Sequence, residues 1–192
     1  MFLNSLHFAF VSLIFYGREE GKVAMHAFVA ILMGSDSDLS VMESTVEVLE
    51  SFQIPFEIKV SSAHRTPEAT HQYVKEADAR GCKVFICAAG MAAHLAGAVA
   101  ANTVKPVIGV PIDAGPLNGF DALLSTVQMP AGIPVATVAI GKAGAKNAGF
   151  LAAQMFALSD DLLSDALKAD RQKQAEKILQ KNEGLLKKMK RE

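Results

Sequence analysis

The sequence predicts an α/β protein, a three-layer α/β/α sandwich built on a parallel sheet of five strands. Short apolar or β-branched runs alternate five times with stretches whose apolar residues have helical spacing. Because parallel strands can be joined only through crossovers, this alternation favours a parallel sheet with helices on both faces. The chain has 192 residues, of which 51% are hydrophobic, enough for one domain with a large core.

The predicted elements follow one another as β-α units. A continuous apolar run over 27–33 predicts a strand buried on both faces, and the spacing over 39–52 predicts an amphipathic helix after it. The other strands are predicted at 56–60, 84–87, 107–110 and 134–140, and the other helices at 67–80, 92–102, 120–129 and 144–158. We favour a flavodoxin-like arrangement, although the pattern does not fix the order of the strands in the sheet.

Two segments lie outside this alternation, so we divide the chain at 1–24, 25–158 and 159–192. Residues 1–16 of the first segment are apolar, but the segment lacks the basic start and the small-residue cleavage site of a signal peptide. We interpret it as a dispensable N-terminal extension, with a membrane or partner anchor as the alternative. The central segment is the predicted catalytic domain. The last is a predicted helical tail, and we expect its apolar positions to pack on a neighbouring subunit.

The composition argues against several classes of protein. A net charge of -1 provides no overall field for nucleic acid or a membrane surface. Cys82 and Cys87 are too few for a disulfide framework, and we expect both to be buried thiols. The chain has no P-loop, no Gly-x-Gly-x-x-Gly fingerprint and no zinc-type spacing. We therefore expect a cytoplasmic protein that uses no metal and binds neither nucleic acid nor membrane.

Polar side chains follow the first three predicted strands, at the point where each strand ends. The three loops are Gly34–Asp38, Ser62–Pro67 and the small-residue stretch 88–97. In open α/β sheets, ligands bind at this carboxyl edge. His64 can move a proton near neutral pH, and Arg65 has the shape to hold a phosphate or a carboxylate. Together the loops predict a site for a sugar phosphate that carries a planar ring.

Each loop also has a simpler interpretation when it is taken alone. The serine and aspartates of Gly34–Asp38 could cap a helix, and Ser62–Pro67 could be a cap with a surface arginine. His94, in an alanine-rich stretch, could be a core histidine. Only the predicted meeting of the three loops at one edge favours a ligand site.

Several motifs resemble one known family in their order along the chain. They are Gly34-Ser35-Asp36-Ser37-Asp38, Ser62-Ala63-His64-Arg65-Thr66-Pro67, Ala92-Ala93-His94-Leu95 and Val127–Val135, followed by Ala139-Ile140-Gly141 and Ala143-Gly144-Ala145. The chain is similar to the N5-carboxyaminoimidazole ribonucleotide mutases of purine biosynthesis, from residue 28 to about residue 170. The Ala-Ala-His-Leu segment resembles the class I mutases rather than the animal-type carboxylases.

The resemblance implies an isomerase that needs no ATP, metal or organic cofactor. It implies decarboxylation of the ribonucleotide substrate and recarboxylation at C4 of the imidazole, with His64 as the proton shuttle. It places substrate contacts at Ser35, Asp36, Asp38, Ser62, Arg65 and Leu95, and a CO2-retaining wall at Ala89, Gly90 and His94. It also implies a homo-octamer. Many members have Gly where Met91 stands and Pro where Ala96 stands, so we expect a variant of this wall.

Three rival interpretations remain to be separated. The first is direct carboxylation of aminoimidazole ribonucleotide by free CO2. The second is a flavin-binding electron carrier, which the fold alone would permit. The third is a response-regulator receiver, which needs an aspartate at the end of the third strand, where this chain has Cys87-Ala88-Ala89.

Overall fold

The computed structural model describes residues 27–189 and contains one parallel sheet. Its strands are β1 (Phe28–Met33), β2 (Phe56–Val60), β3 (Cys82–Gly90), β4 (Val107–Ile112) and β5 (Ala136–Thr137). The order across the sheet is β2-β1-β3-β4-β5, and every neighbouring pair is parallel. The predicted fold class, a flavodoxin-like parallel sheet of five strands, is confirmed.

Helices cover both faces of the sheet and continue beyond it. They are α1 (Leu39–Ser51), α2 (Pro67–Ala79), α3 (Leu95–Ala100), α4 (Phe120–Val127), α5 (Gly141–Ala157) and α6 (Asp161–Met189). One core cluster joins α1 and α5 to the sheet, and a second joins α2 and α3 to the opposite face. The central strands β1, β3 and β4 are therefore largely buried between two layers of helices, whereas the edge strands β2 and β5 are partly exposed.

Strand β1 explains why the sequence shows a continuous apolar run and no alternation. Val29, Ile31 and Met33 lie in the α1/α5 cluster, whereas Phe28, Ala30 and Leu32 lie in the α2/α3 cluster. All six residues are buried. A central strand of a parallel sheet has two apolar faces, so both sets of side chains must be apolar.

Helices α1 and α5 approach each other closely because α5 carries small residues. A Cβ added at Gly149 would lie 2.9 Å from Val48 Cβ. The Thr45 hydroxyl, on α1, donates a 2.7 Å hydrogen bond to the Ala145 carbonyl. Because the hydroxyl of this buried threonine is hydrogen-bonded to a backbone carbonyl, the cost of removing it from water is offset.

Some predicted boundaries are wrong. Strand β3 continues to Gly90 rather than stopping at Cys87, because Ala88–Gly90 pairs with Val110–Ile112 of β4. Strand β4 likewise runs through Pro111, although proline has no N–H to donate. Strand β5 pairs only with Ile108 and Gly109, so the pairing of β4 with β5 does not need a hydrogen bond from Pro111. The helix predicted from residue 92 begins at Leu95, and the one predicted from residue 144 begins at Gly141.

The fifth strand differs most from its prediction over 134–140. Only Ala136 and Thr137 pair with β4, and Val138 adds one hydrogen bond from its N–H to the Gly109 carbonyl, at 3.0 Å. Pro134 has no N–H to donate, and the preceding residues form a turn in which the Ile133 N–H bonds to the Pro130 carbonyl. The segment therefore adds only a two-residue strand to the edge of the sheet.

Helix α6 contains no buried residue along its 29 residues. Leu163 and Leu167 pack against the core, whereas Ile178 and Leu179 are each 63% exposed.

No helix within residues 27–189 is both long and apolar enough to span a membrane. Cys82 and Cys87 are buried free thiols, as predicted. The segment 1–24 lies outside the described residues, and the division into domain and tail stays a prediction.

Candidate active site

The loops after β1, β2 and β3 leave the sheet from the same edge and from adjacent strands. Because β1 lies between β2 and β3, the loops that carry Asp38, His64 and His94 are neighbours. The chain turns from one half of the sheet to the other at β1 and β3, and open α/β sheets bind ligands at such a switch point. The predicted meeting of the three loops at one edge is confirmed.

His64 and His94 form a hydrogen-bonded pair at this edge. His64 Nε2 lies 2.8 Å from His94 Nδ1, and the two rings meet edge to face with centroids 4.9 Å apart. Both residues are exposed. A neutral imidazole has one donor nitrogen and one acceptor nitrogen, so a proton on either of these two atoms fixes the tautomer of both rings. The geometry therefore places the two imidazole rings where they can share one proton.

A self-bonded turn presents His64 and Arg65 to the edge. The Ser62 hydroxyl accepts a 3.1 Å hydrogen bond from the Arg65 N–H, and the Thr66 hydroxyl donates to the Ser62 carbonyl at 3.1 Å. Pro67 then occupies the first turn of α2, where its missing N–H costs nothing. Among residues 27–189 the guanidinium of Arg65 makes no ion pair, so its charge is available to an anion.

The turn after β1 is a capping box. The Ser35 hydroxyl accepts a hydrogen bond from the Ser37 N–H at 3.3 Å, and the Asp38 carboxylate accepts one from the Ser35 N–H at 3.2 Å. The helix-cap interpretation of this loop is thus confirmed. Burial raises the pKa of the Asp38 carboxyl, although the hydrogen bond from the Ser35 N–H acts the other way.

The residues of the predicted wall pack against the loop that follows β4. A Cβ added at Gly90 would lie 2.7 Å from Ala114 Cβ, so this position admits no side chain without a shift. Ala89 is half-buried, and a Cβ added at Gly34 would lie 3.6 Å from its Cβ. The small residues therefore let the ends of β1, β3 and β4 approach one another closely.

Leu95 differs from the other predicted site residues because its side chain is 2% exposed and belongs to the α2/α3 core cluster. Only its backbone could face a ligand. His94 is exposed at the start of α3, so the core-histidine interpretation is wrong. His71, on α2, is half-buried, and its Nδ1 is hydrogen-bonded to Asn102 Oδ1. It plays no part in the edge described above.

The sequence that forms this edge matches a known protein family. The sequence model of the family described as AIR carboxylase matches residues 28–177, which include all three loops and the histidine pair.

This chain belongs to the AIR carboxylase family. Its curated relatives carry the name N5-carboxyaminoimidazole ribonucleotide mutase. The one from Pseudomonas aeruginosa is 51% identical over 155 residues, which is 81% of this chain and 95% of the relative. The one from Bacillus subtilis is 48% identical over 162 residues, 84% of this chain and 100% of the relative. The one from Pyrococcus abyssi is 54% identical and covers 75% of this chain and 82% of the relative.

Solved structures agree with the AIR carboxylase assignment. A crystal structure of Treponema denticola PurE superposes with a TM-score of 0.73 at 34% identity, covering 81% of this chain and 96% of that one. A serine-to-aspartate variant of PurE2 from the same organism gives a TM-score of 0.76 at 33% identity, covering 83% and 98%. The resemblance found in the sequence motifs is confirmed, while the role of each site residue stays a prediction.

The sequence of this AIR carboxylase family member does not reveal that His64 and His94 touch. The two residues are 30 positions apart, and no spacing rule links them; the available signal is that both follow strands of one parallel sheet, β2 and β3, which flank β1. Within the described residues, no group of three or more His, Cys, Asp and Glu side chains is arranged to hold a metal ion. The chemistry of the edge is that of imidazole, guanidinium, hydroxyl and carboxyl groups.

Proposed function

We propose that this protein is an N5-carboxyaminoimidazole ribonucleotide mutase, an isomerase of purine biosynthesis. It converts its substrate to 4-carboxy-5-aminoimidazole ribonucleotide. The observation that carries the proposal is that curated relatives of this name are 48 to 54% identical over most of the chain. The hydrogen-bonded pair of His64 and His94 at the sheet edge supplies a group able to move the required proton.

One proton carrier is enough for this reaction, because the reaction takes up one proton and releases one. Breaking the bond between the exocyclic nitrogen and the carboxyl carbon releases CO2, and that nitrogen takes up a proton. C4 of the imidazole then attacks the CO2 and loses its own proton. A group that donates in the first half and accepts in the second returns to its starting state. We assign this group to His64, with His94 as the positioning residue that shares its proton.

We assign the ribonucleotide phosphate to Arg65 and to the hydroxyls of Ser35 and Ser62. Arg65 is exposed beside His64, and the edge formed by these loops also offers N–H and O–H donors. Asp36 and Asp38 accept hydrogen bonds and so suit the hydroxyl groups of the sugar. Ala89, Gly90 and His94 are proposed to form the wall that keeps CO2 next to C4.

Substitution Arg65→Ala is expected to weaken substrate binding by removing a charge-assisted contact. A lost contact of this kind corresponds to an increase of about 10- to 100-fold in KM. Steady-state kinetics on the wild type and the variant measure it, with Lys83→Ala at the start of β3, away from the carboxyl edge, as the control for loss of an exposed positive charge. An unchanged KM for Arg65→Ala would show that the guanidinium does not hold the substrate.

Direct carboxylation of aminoimidazole ribonucleotide is the second candidate, because the matching family is described as AIR carboxylase. The two activities are separated by supplying each substrate alone. We expect conversion of the N5-carboxylated substrate without bicarbonate, and little product from aminoimidazole ribonucleotide plus bicarbonate at low concentration. The reverse pattern would make the protein a carboxylase.

A chain beginning at Met25 should show the same activity if residues 1–24 are dispensable.

The proposed assembly is a homo-octamer in which neighbouring subunits cover the helical tail 159–192. The exposed Ile178 and Leu179 of α6, together with the exposed histidine pair, support an additional surface over the single subunit. Light scattering gives the mass directly, and a monomer in solution would contradict this assembly.

A cytoplasmic location is also proposed, supported by the two buried free thiols, and cell fractionation tests it.

A further inference from the structure

Thr66 occupies the position just before α2, where a threonine hydroxyl usually caps the helix. A capping hydroxyl accepts a hydrogen bond from an N–H of the first helical turn, and losing that bond weakens the helix. The Thr66 side chain makes no such bond. Its hydroxyl turns away from α2, so helix capping is not its role here.

The Thr66 hydroxyl bonds instead to both backbone groups of Ser62. It accepts a 3.2 Å hydrogen bond from the Ser62 N–H and donates one of 3.1 Å to the Ser62 carbonyl. That carbonyl also accepts the Thr66 N–H at 2.9 Å. Together these bonds close the turn over 62–66, and His64 and Arg65 lie between its two ends.

The closed turn also orients the Ser62 side chain. Because the N–H and the carbonyl of Ser62 are both held, its hydroxyl is placed to accept a 3.1 Å hydrogen bond from the Arg65 N–H. A hydroxyl that accepts a hydrogen bond keeps its own proton for another partner. The Thr66 hydroxyl therefore fixes the backbone from which Ser62, His64 and Arg65 project.

Buried hydroxyls hold the base of this turn. Ser61 and Thr70 are each 3% exposed, and their hydroxyl oxygens lie 2.7 Å apart. The Thr70 hydroxyl gives its single proton to the Thr66 carbonyl at 3.0 Å, so Ser61 must donate to Thr70. The Ser61 N–H donates to the Met33 carbonyl at 2.8 Å, at the end of β1. The base is therefore fixed to the sheet, and the Thr66 hydroxyl holds the exposed tip.

We propose that Thr66 is a positioning residue for the site at the carboxyl edge, an inference that rests on the proposed mutase function. Its hydroxyl holds His64 within reach of His94 and Arg65 within reach of the substrate phosphate. Groups held in place before the substrate arrives lower the entropic part of the barrier, and a misplacement of about 1 Å costs about 10²-fold in rate. Thr66 itself exchanges no proton.

The experiment compares three substitutions. Thr66→Val removes the hydroxyl but keeps the branched shape, whereas Thr66→Ser keeps the hydroxyl. Thr103→Val is the matched control, because the Thr103 hydroxyl also closes a turn: it accepts a 3.1 Å hydrogen bond from the Lys105 N–H and donates to Asp78. That turn joins α3 to β4, at the opposite edge of the sheet. Steady-state kinetics give kcat and KM separately, and hydrogen exchange measures the opening of the turn over 62–66.

We expect Thr66→Val to lower kcat and raise KM together, by about tenfold each, because His64 and Arg65 lie on the same turn. Hydrogen exchange over 62–66 should become faster. Thr66→Ser should keep both constants near the wild-type values, and Thr103→Val should change neither. If the wild type makes product and Thr66→Val keeps its kcat and KM, Thr66 has no positioning role, even where its melting temperature falls. If the wild type makes no product, the proposed function fails, and the role of Thr66 fails with it.

Discussion

Replacing His64 with asparagine is expected to lower kcat by about 10²- to 10⁴-fold, the usual contribution of a positioned acid–base group. Asparagine can still form a hydrogen bond with His94, but it cannot give up a proton to the leaving nitrogen or take one from C4. Substrate binding should survive, because Arg65 and the hydroxyls of Ser35 and Ser62 remain. Steady-state kinetics measure the first effect, and calorimetric titration with a substrate analogue measures the second.

The matched control for this substitution is His71→Asn. His71 is half-buried on α2 and bonds to Asn102, so its replacement removes a histidine without touching the pair at the sheet edge. We expect that variant to keep its kcat. Near-normal turnover by His64→Asn would exclude His64 as the proton shuttle and would leave His94 as the remaining histidine at this edge.

Substitution Gly144→Ala is expected to cost more than about 3 kcal/mol of unfolding free energy, which is beyond the usual range for one added methyl group. A Cβ at this position would lie 1.5 Å from the carbonyl oxygen of Ala139 and 2.5 Å from its carbonyl carbon. Both are backbone atoms, so no side-chain rotation can relieve the overlap. The start of α5 would have to move, and α5 packs on α1 and the sheet.

Chemical denaturation of Gly144→Ala measures this loss, and Gly184→Ala provides the control. Gly184 lies in α6 with no atom within 4 Å of an added Cβ. Alanine is the better helix former by about 0.5–1 kcal/mol, so the control should be neutral or stabilising. If Gly144→Ala changes the unfolding free energy by less than about 0.5 kcal/mol, as ordinary surface changes do, the predicted overlap at Gly144 is wrong.

The success and failure of the sequence predictions have separate physical causes. Strand β1 was predictable because two buried faces demand an unbroken apolar run, which pattern alone can show. The end of β3 was not predictable: Ala88, Ala89 and Gly90 have weak strand propensity, and their pairing with β4 holds them extended. Local sequence carries no record of a partner strand that lies about twenty residues away.

The candidate site was predictable as a set of loops but not as a geometry. Parallel strands place their carboxyl ends together, which is why His64 and Arg65 could be assigned to one edge with Asp38. The 2.8 Å contact between His64 and His94 depends on how the side chains turn, and the left-handed backbone of Met91, with a φ of +57°, depends on how the chain leaves β3. Neither leaves a signature in a single sequence.

The two-residue length of β5 has a consequence for how the protein avoids aggregation. A long free strand at a sheet edge offers unpaired backbone groups to another molecule, and natural proteins blunt such edges by shortening or charging them. Strand β5 presents only Ala136 and Thr137. The opposite edge, β2, is longer and exposes Ile58 and Val60, but Lys59 stands between them, with its ammonium over the Tyr73 ring. One edge is thus protected by shortness and the other by charge.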